Sequence, residues 1–85
     1  MTRVIKIELT AFQVKFYGYR QKSVGDIIFH IDRNSEDGIK LENKLKRAAD
    51  VAGDNHSVYE LIAQDGKRLY ILVSDDSLSI GLRLI

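Results

Sequence analysis

This chain contains no cysteine, no proline and no tryptophan, and it has a single methionine. Without cysteine it forms neither a disulfide nor a thiolate metal site, so its stability has to come from packing or from association. No apolar run approaches the roughly 20 residues that a membrane-spanning helix needs, and the first residues lead into a strand pattern rather than a signal peptide. We therefore expect a soluble, cytoplasmic protein.

The composition is otherwise that of an ordinary globular protein. The 85 residues are 45% apolar and 29% charged, which predicts one domain spanning residues 1–85 with one modest core. The formal net charge is only +1, so composition alone does not indicate a nucleic-acid partner. Charge is unevenly distributed, however, because residues 1–25 hold five basic side chains and one acidic one. The basic end is the N-terminal one, although ordinary scatter would also explain the difference.

The clearest pattern lies between Val58 and Leu84, where two turns separate three apolar runs. Asp65-Gly66 is typical of a two-residue hairpin turn, because glycine accepts the positive φ that such a turn requires. Asp75-Asp76 indicates a second two-residue turn. The segment is therefore predicted to be three antiparallel strands.

Two-residue turns would decide which side chains share a face of this sheet. One face is then almost entirely aliphatic, and we expect it to lie under a helix. The other face carries two tyrosines and two arginines: Tyr59, Tyr70, Arg68 and Arg83. Arg68 would stand opposite Arg83, and like charges placed so destabilise a sheet unless an anion lies between them. A carboxylate from elsewhere in the chain would serve, and so would a phosphate.

The first third of the chain also alternates with the period of a strand. The predicted strands are Thr2–Leu9, Phe12–Phe16 and Asp26–Asp32, with a bulge or bend at Thr10-Ala11 and a loop over Gly18–Gly25. Because both faces of Asp26–Asp32 are apolar, we expect that strand to be central in the sheet.

One helix is predicted over residues 36–52. Ser35 or Asn34 would cap its start, and Gly53 would follow its end. Its buried stripe is expected to contain Leu41, Leu45, Ala48 and Ala52. The predicted fold is α+β, a mostly antiparallel sheet of about five to six strands with one helix on one face, in the order ββ(β)-α-βββ.

No motif for catalysis or metal binding is present. His30 and Asp32 could present two ligands on one strand, with Asp54 and His56 nearby, but no spacing predicts the three or four converging ligands of a metal site. Ser57 lies beside His56, and sequence neighbours rarely have the geometry of a catalytic pair. We expect no enzyme activity, no cofactor and no metal.

The tyrosine and arginine face admits four explanations. The N-terminal strands could curl over it, it could be a homodimer interface, it could bind a protein through tyrosine and arginine anchors, or it could bind single-stranded nucleic acid. Two further groups of side chains could act together with this face. One is the basic and aromatic loop over residues 15–22, and the other is a basic ridge on the helix formed by Lys40, Lys44 and Arg47. Either group could instead be ordinary solvated surface.

These patterns favour a small non-enzymatic protein that binds RNA or an RNA-handling protein. The alternatives are a phage- or antitoxin-type inhibitor or adaptor that blocks a host enzyme such as a ribonuclease, and a homodimer formed through the second sheet face. The candidate partner-binding residues are Lys15, Tyr17, Tyr19, Arg20, Lys22, Lys40, Lys44, Arg47, Tyr59, Arg68, Tyr70 and Arg83.

Overall fold

The computed structural model describes residues 13–17, 23–52 and 57–85. Its elements are β1 (Gln13–Phe16), β2 (Val24–Asp32), α1 (Glu36–Ala49), β3 (Ser57–Ile62), β4 (Arg68–Val73) and β5 (Ser77–Leu84). The strands form one antiparallel sheet in the order β1-β3-β4-β5-β2, and α1 packs on one of its faces. The predicted α+β fold is confirmed. The predicted strand Thr2–Leu9 and the bend at Thr10-Ala11 lie outside the described residues.

Helix α1 begins where the sequence places it. The Ser35 hydroxyl accepts a hydrogen bond from the Gly38 N–H at 3.1 Å, satisfying one of the unpaired donors of the first turn. Glu36 and Asp37 add negative charge at the positive end of the helix dipole. Glycine is required at position 38, because a Cβ there would collide with the Asp32 carbonyl oxygen. Gly38 lowers the intrinsic helix propensity of this segment, but its lack of a side chain lets the helix approach β2.

The predicted end of the helix is three residues too late. Asp50 adopts the left-handed conformation, with φ of 56°, and its N–H reaches back to the Arg47 carbonyl at 3.3 Å. The N–H of Val51 bonds to the Lys46 carbonyl at 3.0 Å, which completes the cap. The cap therefore forms at Asp50, and Gly53 lies outside the described residues.

The predicted buried stripe of the helix is half right. Leu41 and Leu45 are buried, but Ala48 is exposed. Ala49 packs against the core instead, because four residues advance a helix by slightly more than a turn and keep the side chain on the same face. Ala52 lies beyond the helix and is exposed, while Val51 packs against the core.

The core lies between α1 and the sheet face that points toward it. Its buried members all come from the helix and the three central strands, and they are Leu41, Leu45, Tyr59, Leu61, Ile71, Val73, Leu78 and Ile80. The two outer strands complete it with half-buried side chains, Val14 and Phe16 from β1 and Phe29 and Ile31 from β2.

The first hairpin turn has three residues, so the two-residue prediction is wrong. The N–H of Ala63 bonds to the Lys67 carbonyl at 2.9 Å, and Gly66 closes the loop with φ of 85°. This shifts the register by one residue, and a one-residue shift exchanges the two faces of a strand. Tyr59 therefore pairs with Ile71 under the helix, and Glu60 pairs with Tyr70 on the other face.

The second turn agrees with its prediction. Val73 pairs with Leu78, and the Ser74 N–H bonds to the Ser77 carbonyl at 2.9 Å across Asp75-Asp76. The relative facing of β4 and β5 is therefore as predicted.

Strand β2 was expected to start at Asp26, which is wrong, and to be central in the sheet, which the described residues alone do not test. It starts at Val24 and, within the described ranges, has only β5 as a neighbour. The pairing shifts by one residue between Ile27 and Phe29, so Ile28 is the extra residue of a β-bulge. Ile27 and Ile28 are both exposed.

Candidate binding face

The sheet face that points away from α1 carries a row of directly paired residues, one from each strand. Lys15 pairs with Glu60, Glu60 with Tyr70, Tyr70 with Gly81, and Gly81 with Ile27. Directly paired residues project to the same side of a sheet, so these side chains share one surface. We call this surface the Glu60 face.

Glu60 is the centre of this face and is only 1% exposed. The Tyr17 hydroxyl donates to its Oε1 at 3.0 Å, and the Tyr70 hydroxyl lies close to the same carboxylate. Its other oxygen, Oε2, lies 3.7 Å from Arg68 Nη1 and has no hydrogen bond within the described part of the chain. A buried carboxylate is thus held by one phenol and by the charge of a guanidinium, with a second phenol nearby.

The titration behaviour follows from this environment. Burial alone would raise the pKa of Glu60, but the hydrogen bonds from Tyr70 and Tyr17 and the charges of Arg68 and Lys15 outweigh it, so the pKa is lowered. Burial and the bond to Glu60 raise the pKa of Tyr17, and the bond to Glu60 followed by burial raises that of Tyr70. At neutral pH Glu60 is therefore a fixed anion and both tyrosines are neutral donors. This arrangement favours rigid positioning over proton transfer.

The two arginines of the face each have a carboxylate of their own. Arg68 faces Glu60, and Arg83 Nη2 lies 3.2 Å from Asp26 Oδ2. The anion that the sequence called for is thus supplied from within the chain. Both guanidinium side chains nevertheless remain largely in solvent, at 61% and 71% exposure for Arg68 and Arg83.

Tyr59 does not belong to this face, and its prediction as a partner-binding residue is wrong. It is 1% exposed in the core, where its ring lies 5.4 Å from that of Phe16. Burial raises its pKa. The cause of the misplacement is the three-residue turn, which puts Tyr59 under the helix.

The remaining predicted residues divide into two groups. Lys40, Lys44 and Arg47 are exposed on α1, on the opposite side of the sheet from the Glu60 face, and Lys40 pairs with Glu36 at 3.1 Å. The structure therefore does not join this ridge to the face. Tyr19, Arg20 and Lys22 lie outside the described residues. Of the predicted set, the Glu60 face brings together Lys15, Tyr17, Arg68 and Tyr70, with Arg83 toward the β2 side.

Sequence reasoning missed two buried carboxylates. One is Glu60, whose signal was a lone charge within an otherwise apolar strand. The other is Glu42, which accepts both forks of Arg33 at 2.8 Å, while Arg33 also donates to the Ser74 carbonyl at 3.0 Å. Burial would raise the pKa of Glu42, but hydrogen bonds from Arg33 and Lys46 lower it. This pair ties the start of the helix to the β4–β5 turn.

Comparison of the chain with known protein families, with curated proteins and with solved structures gives no match. The described residues contain no group of three or more histidine, aspartate or glutamate side chains placed to hold a metal ion. Within the same residues, no helix is long and apolar enough to cross a membrane. The function has to be argued from the Glu60 face itself.

Proposed function

We propose that this chain is a small non-enzymatic binding protein of the cytoplasm whose Glu60 face contacts single-stranded RNA. The observation that carries the proposal is the grouping of three cations and two tyrosines on one surface: Lys15, Arg68, Arg83, Tyr17 and Tyr70. Basic side chains that follow the backbone, combined with aromatic rings on which bases stack, are the usual means of binding single strands.

The internal ion pairs of Arg68 and Arg83 do not prevent such contacts. The Arg83–Asp26 pair is exposed at both ends, and an exposed ion pair contributes only about 0–1 kcal/mol. Arg68 is 61% exposed and lies 3.7 Å from the buried Glu60 carboxylate, so it can contact a phosphate while it stays beside Glu60. A phosphate brings a full charge and releases condensed counterions when it is neutralised. Arg83 can therefore exchange its carboxylate for a phosphate at little cost, and Arg68 can add a phosphate contact without leaving Glu60.

Glu60 determines how the tyrosines would act. Its carboxylate is buried below the surface, so its charge is kept away from an approaching phosphate. Because it accepts a hydrogen bond from the Tyr17 hydroxyl, the Tyr17 ring is positioned before any ligand arrives. Tyr17 is exposed and Tyr70 half-buried, so Tyr17 offers the larger stacking surface.

Fluorescence anisotropy with a labelled oligouridylate at low salt tests the proposal. The wild-type chain should bind, with a logarithmic salt slope of about −2 for three phosphate contacts. The double variant Arg68→Ala/Arg83→Ala should bind roughly tenfold or more weakly. The matched control is Lys40→Ala/Lys44→Ala, which removes two cations from the helix and should bind like wild type.

Equal losses in the two double variants would show that binding depends on overall charge and not on the Glu60 face. No binding at micromolar protein would overturn the RNA proposal altogether. Circular dichroism of both variants checks that the fold is retained.

A protein partner is the second candidate, favoured by the apolar side chains near Arg83. Ile27 and Ile85 are exposed there. Aliphatic side chains contribute little to phosphate or base contacts, whereas protein interfaces combine apolar surface with arginine. This is the inhibitor or adaptor function, in which the chain binds and blocks a nucleic-acid-processing enzyme such as a ribonuclease. Capture of that enzyme by wild type after nuclease treatment, and its loss in Ile27→Asp, is the expected result.

A further inference from the structure

Strand β2 contains one residue in a left-handed backbone conformation, Asp26, with φ of 41°. Glycine, asparagine and aspartate adopt this conformation most readily, but for aspartate it still carries a conformational cost. Backbone strain of this kind is often found where the surrounding structure holds a side chain in a particular place for a function. The position of the Asp26 carboxylate therefore calls for a physical reason.

The partner of this carboxylate is Arg83. Asp26 Oδ2 lies 3.2 Å from Arg83 Nη2, and within the described residues this is its one ion pair. Both side chains are largely in solvent, so the pair contributes little to the stability of the fold. Stability therefore does not explain why a strained aspartate is placed beside this guanidinium.

The two arginines of the Glu60 face are held in different ways. By the register of β4 and β5, Arg68 faces Arg83. The carboxylate beside Arg68 belongs to the buried Glu60, whereas the carboxylate beside Arg83 is 60% exposed. A buried carboxylate cannot turn into water without a rearrangement of its surroundings, but an exposed one can. Arg83 is therefore the arginine whose partner can leave.

We propose that Asp26 is an intramolecular competitor for RNA, whose carboxylate occupies Arg83 in the free chain and turns into solvent when a phosphate takes its place. The inference rests on the proposed RNA binding by the Glu60 face and adds a contact that limits the affinity of that face. A carboxylate and a phosphate are anions that use the same guanidinium donors, so the second contact forms as the first one breaks.

Asparagine at position 26 isolates the charge, because it keeps the shape of the side chain and also tolerates positive φ. In fluorescence anisotropy at low salt, Asp26→Asn should bind a labelled oligouridylate about two- to fivefold more tightly than wild type, the size of an exposed ion pair. Asp26→Gly removes the same carboxylate without backbone strain and should show the same gain. Both gains should shrink as salt is raised, because screening weakens the competing pair.

The matched control is Asp65→Asn. Asp65 is 57% exposed and lies 3.8 Å from Lys67 Nζ, so the variant removes the same charge from an ion pair that does not include Arg83. Asparagine also keeps the hydrogen bond that Asp65 Oδ1 accepts from the Lys67 N–H at 3.0 Å. The control should bind like wild type. Equal gains in Asp65→Asn and Asp26→Asn would reduce the effect to net charge and overturn the proposal.

A double-mutant cycle tests whether the gain passes through Arg83. In the Arg83→Ala background, Asp26→Asn should give little or no gain, because no guanidinium is left to release. A gain as large as in the wild-type background would mean that Asp26 acts without Arg83, and the competitor role would be wrong.

The results also separate this proposal from the RNA proposal on which it rests. Binding by wild type with unchanged affinity in Asp26→Asn would overturn the competitor role and leave RNA binding by the Glu60 face standing. Absence of binding by wild type and by Asp26→Asn at micromolar protein would overturn both.

Discussion

Glu60 is buried among two tyrosines and two cations, and its solvation has to be replaced by those four groups. The hydrogen bond from Tyr17 on one side and the charge of Arg68 on the other replace the water that burial removes from the carboxylate. The buried Glu42 carboxylate is stabilised in the same way, by ion pairs with Arg33 and Lys46. Each carboxylate therefore fixes side chains from separate parts of the chain.

Replacing Glu60 by glutamine tests this at the scale of one residue. The amide oxygen can still accept from Tyr17, but the amide nitrogen is a donor that faces the Arg68 guanidinium, which has only donors. We expect Glu60→Gln to lower the free energy of unfolding by about 1–3 kcal/mol in urea denaturation. Glu36→Gln is the control, because it removes an exposed charge that pairs with Lys40 and interacts with the helix dipole, and it should cost less than about 1 kcal/mol. Equal effects would contradict the role given to Glu60.

At the scale of elements, one residue in the left-handed conformation caps the end of the helix and another closes the turn of the first hairpin. Asp50 and Gly66 have φ of 56° and 85°, but only one of them is glycine. A side chain at positive φ carries a conformational cost, so the helix cap is less favourable than it could be.

Opposite effects on stability are therefore expected from two glycine substitutions. Asp50→Gly should raise the free energy of unfolding by about 0.5–1 kcal/mol. Gly66→Ala should lower it by about 1–2 kcal/mol through backbone strain alone, because no atom lies within 4 Å of an added Cβ. Thermal denaturation of both variants measures the two shifts, and shifts of the same sign would refute the argument.

The same hairpin shows what the sequence could predict. Asp65-Gly66 identified the turn, and the alternating tail Leu78–Leu84 identified β5. The facing of β3 could not be predicted, because Val58, Tyr59, Leu61 and Ile62 are apolar at both parities and Gln64 does not distinguish a two-residue loop from a three-residue one. Glu60 therefore stayed hidden as the centre of the candidate site, although Arg68 and Tyr70 were found.

At the scale of the whole molecule, the two lowered carboxyl pKa values make stability depend on pH. The unfolded chain binds protons to Glu42 and Glu60 more readily than the folded one does. Their contribution is complete above the ordinary glutamate pKa of about 4.3 and is lost as pH falls through the lower folded values.

We expect acid unfolding to reflect this contribution. Urea midpoints measured from neutral pH to strong acid should fall below about pH 4.3 for wild type. The fall should be shallower in Glu42→Gln/Glu60→Gln, which is already less stable at neutral pH. The same steepness in the variant would assign the acid sensitivity to other groups.

The hydrogen bond from Tyr17 to Glu60 also gives the molecule a built-in optical reporter. The chain has no tryptophan and four tyrosines, so its near-ultraviolet emission comes from tyrosine. One of those fluorophores, Tyr17, donates a hydrogen bond to a carboxylate, a second, Tyr70, lies close to the same carboxylate, and a third, Tyr59, is buried in the core. A ligand that breaks the hydrogen bond between Tyr17 and Glu60 would change the tyrosine emission. Ligand binding to this surface can therefore be followed without attaching a dye.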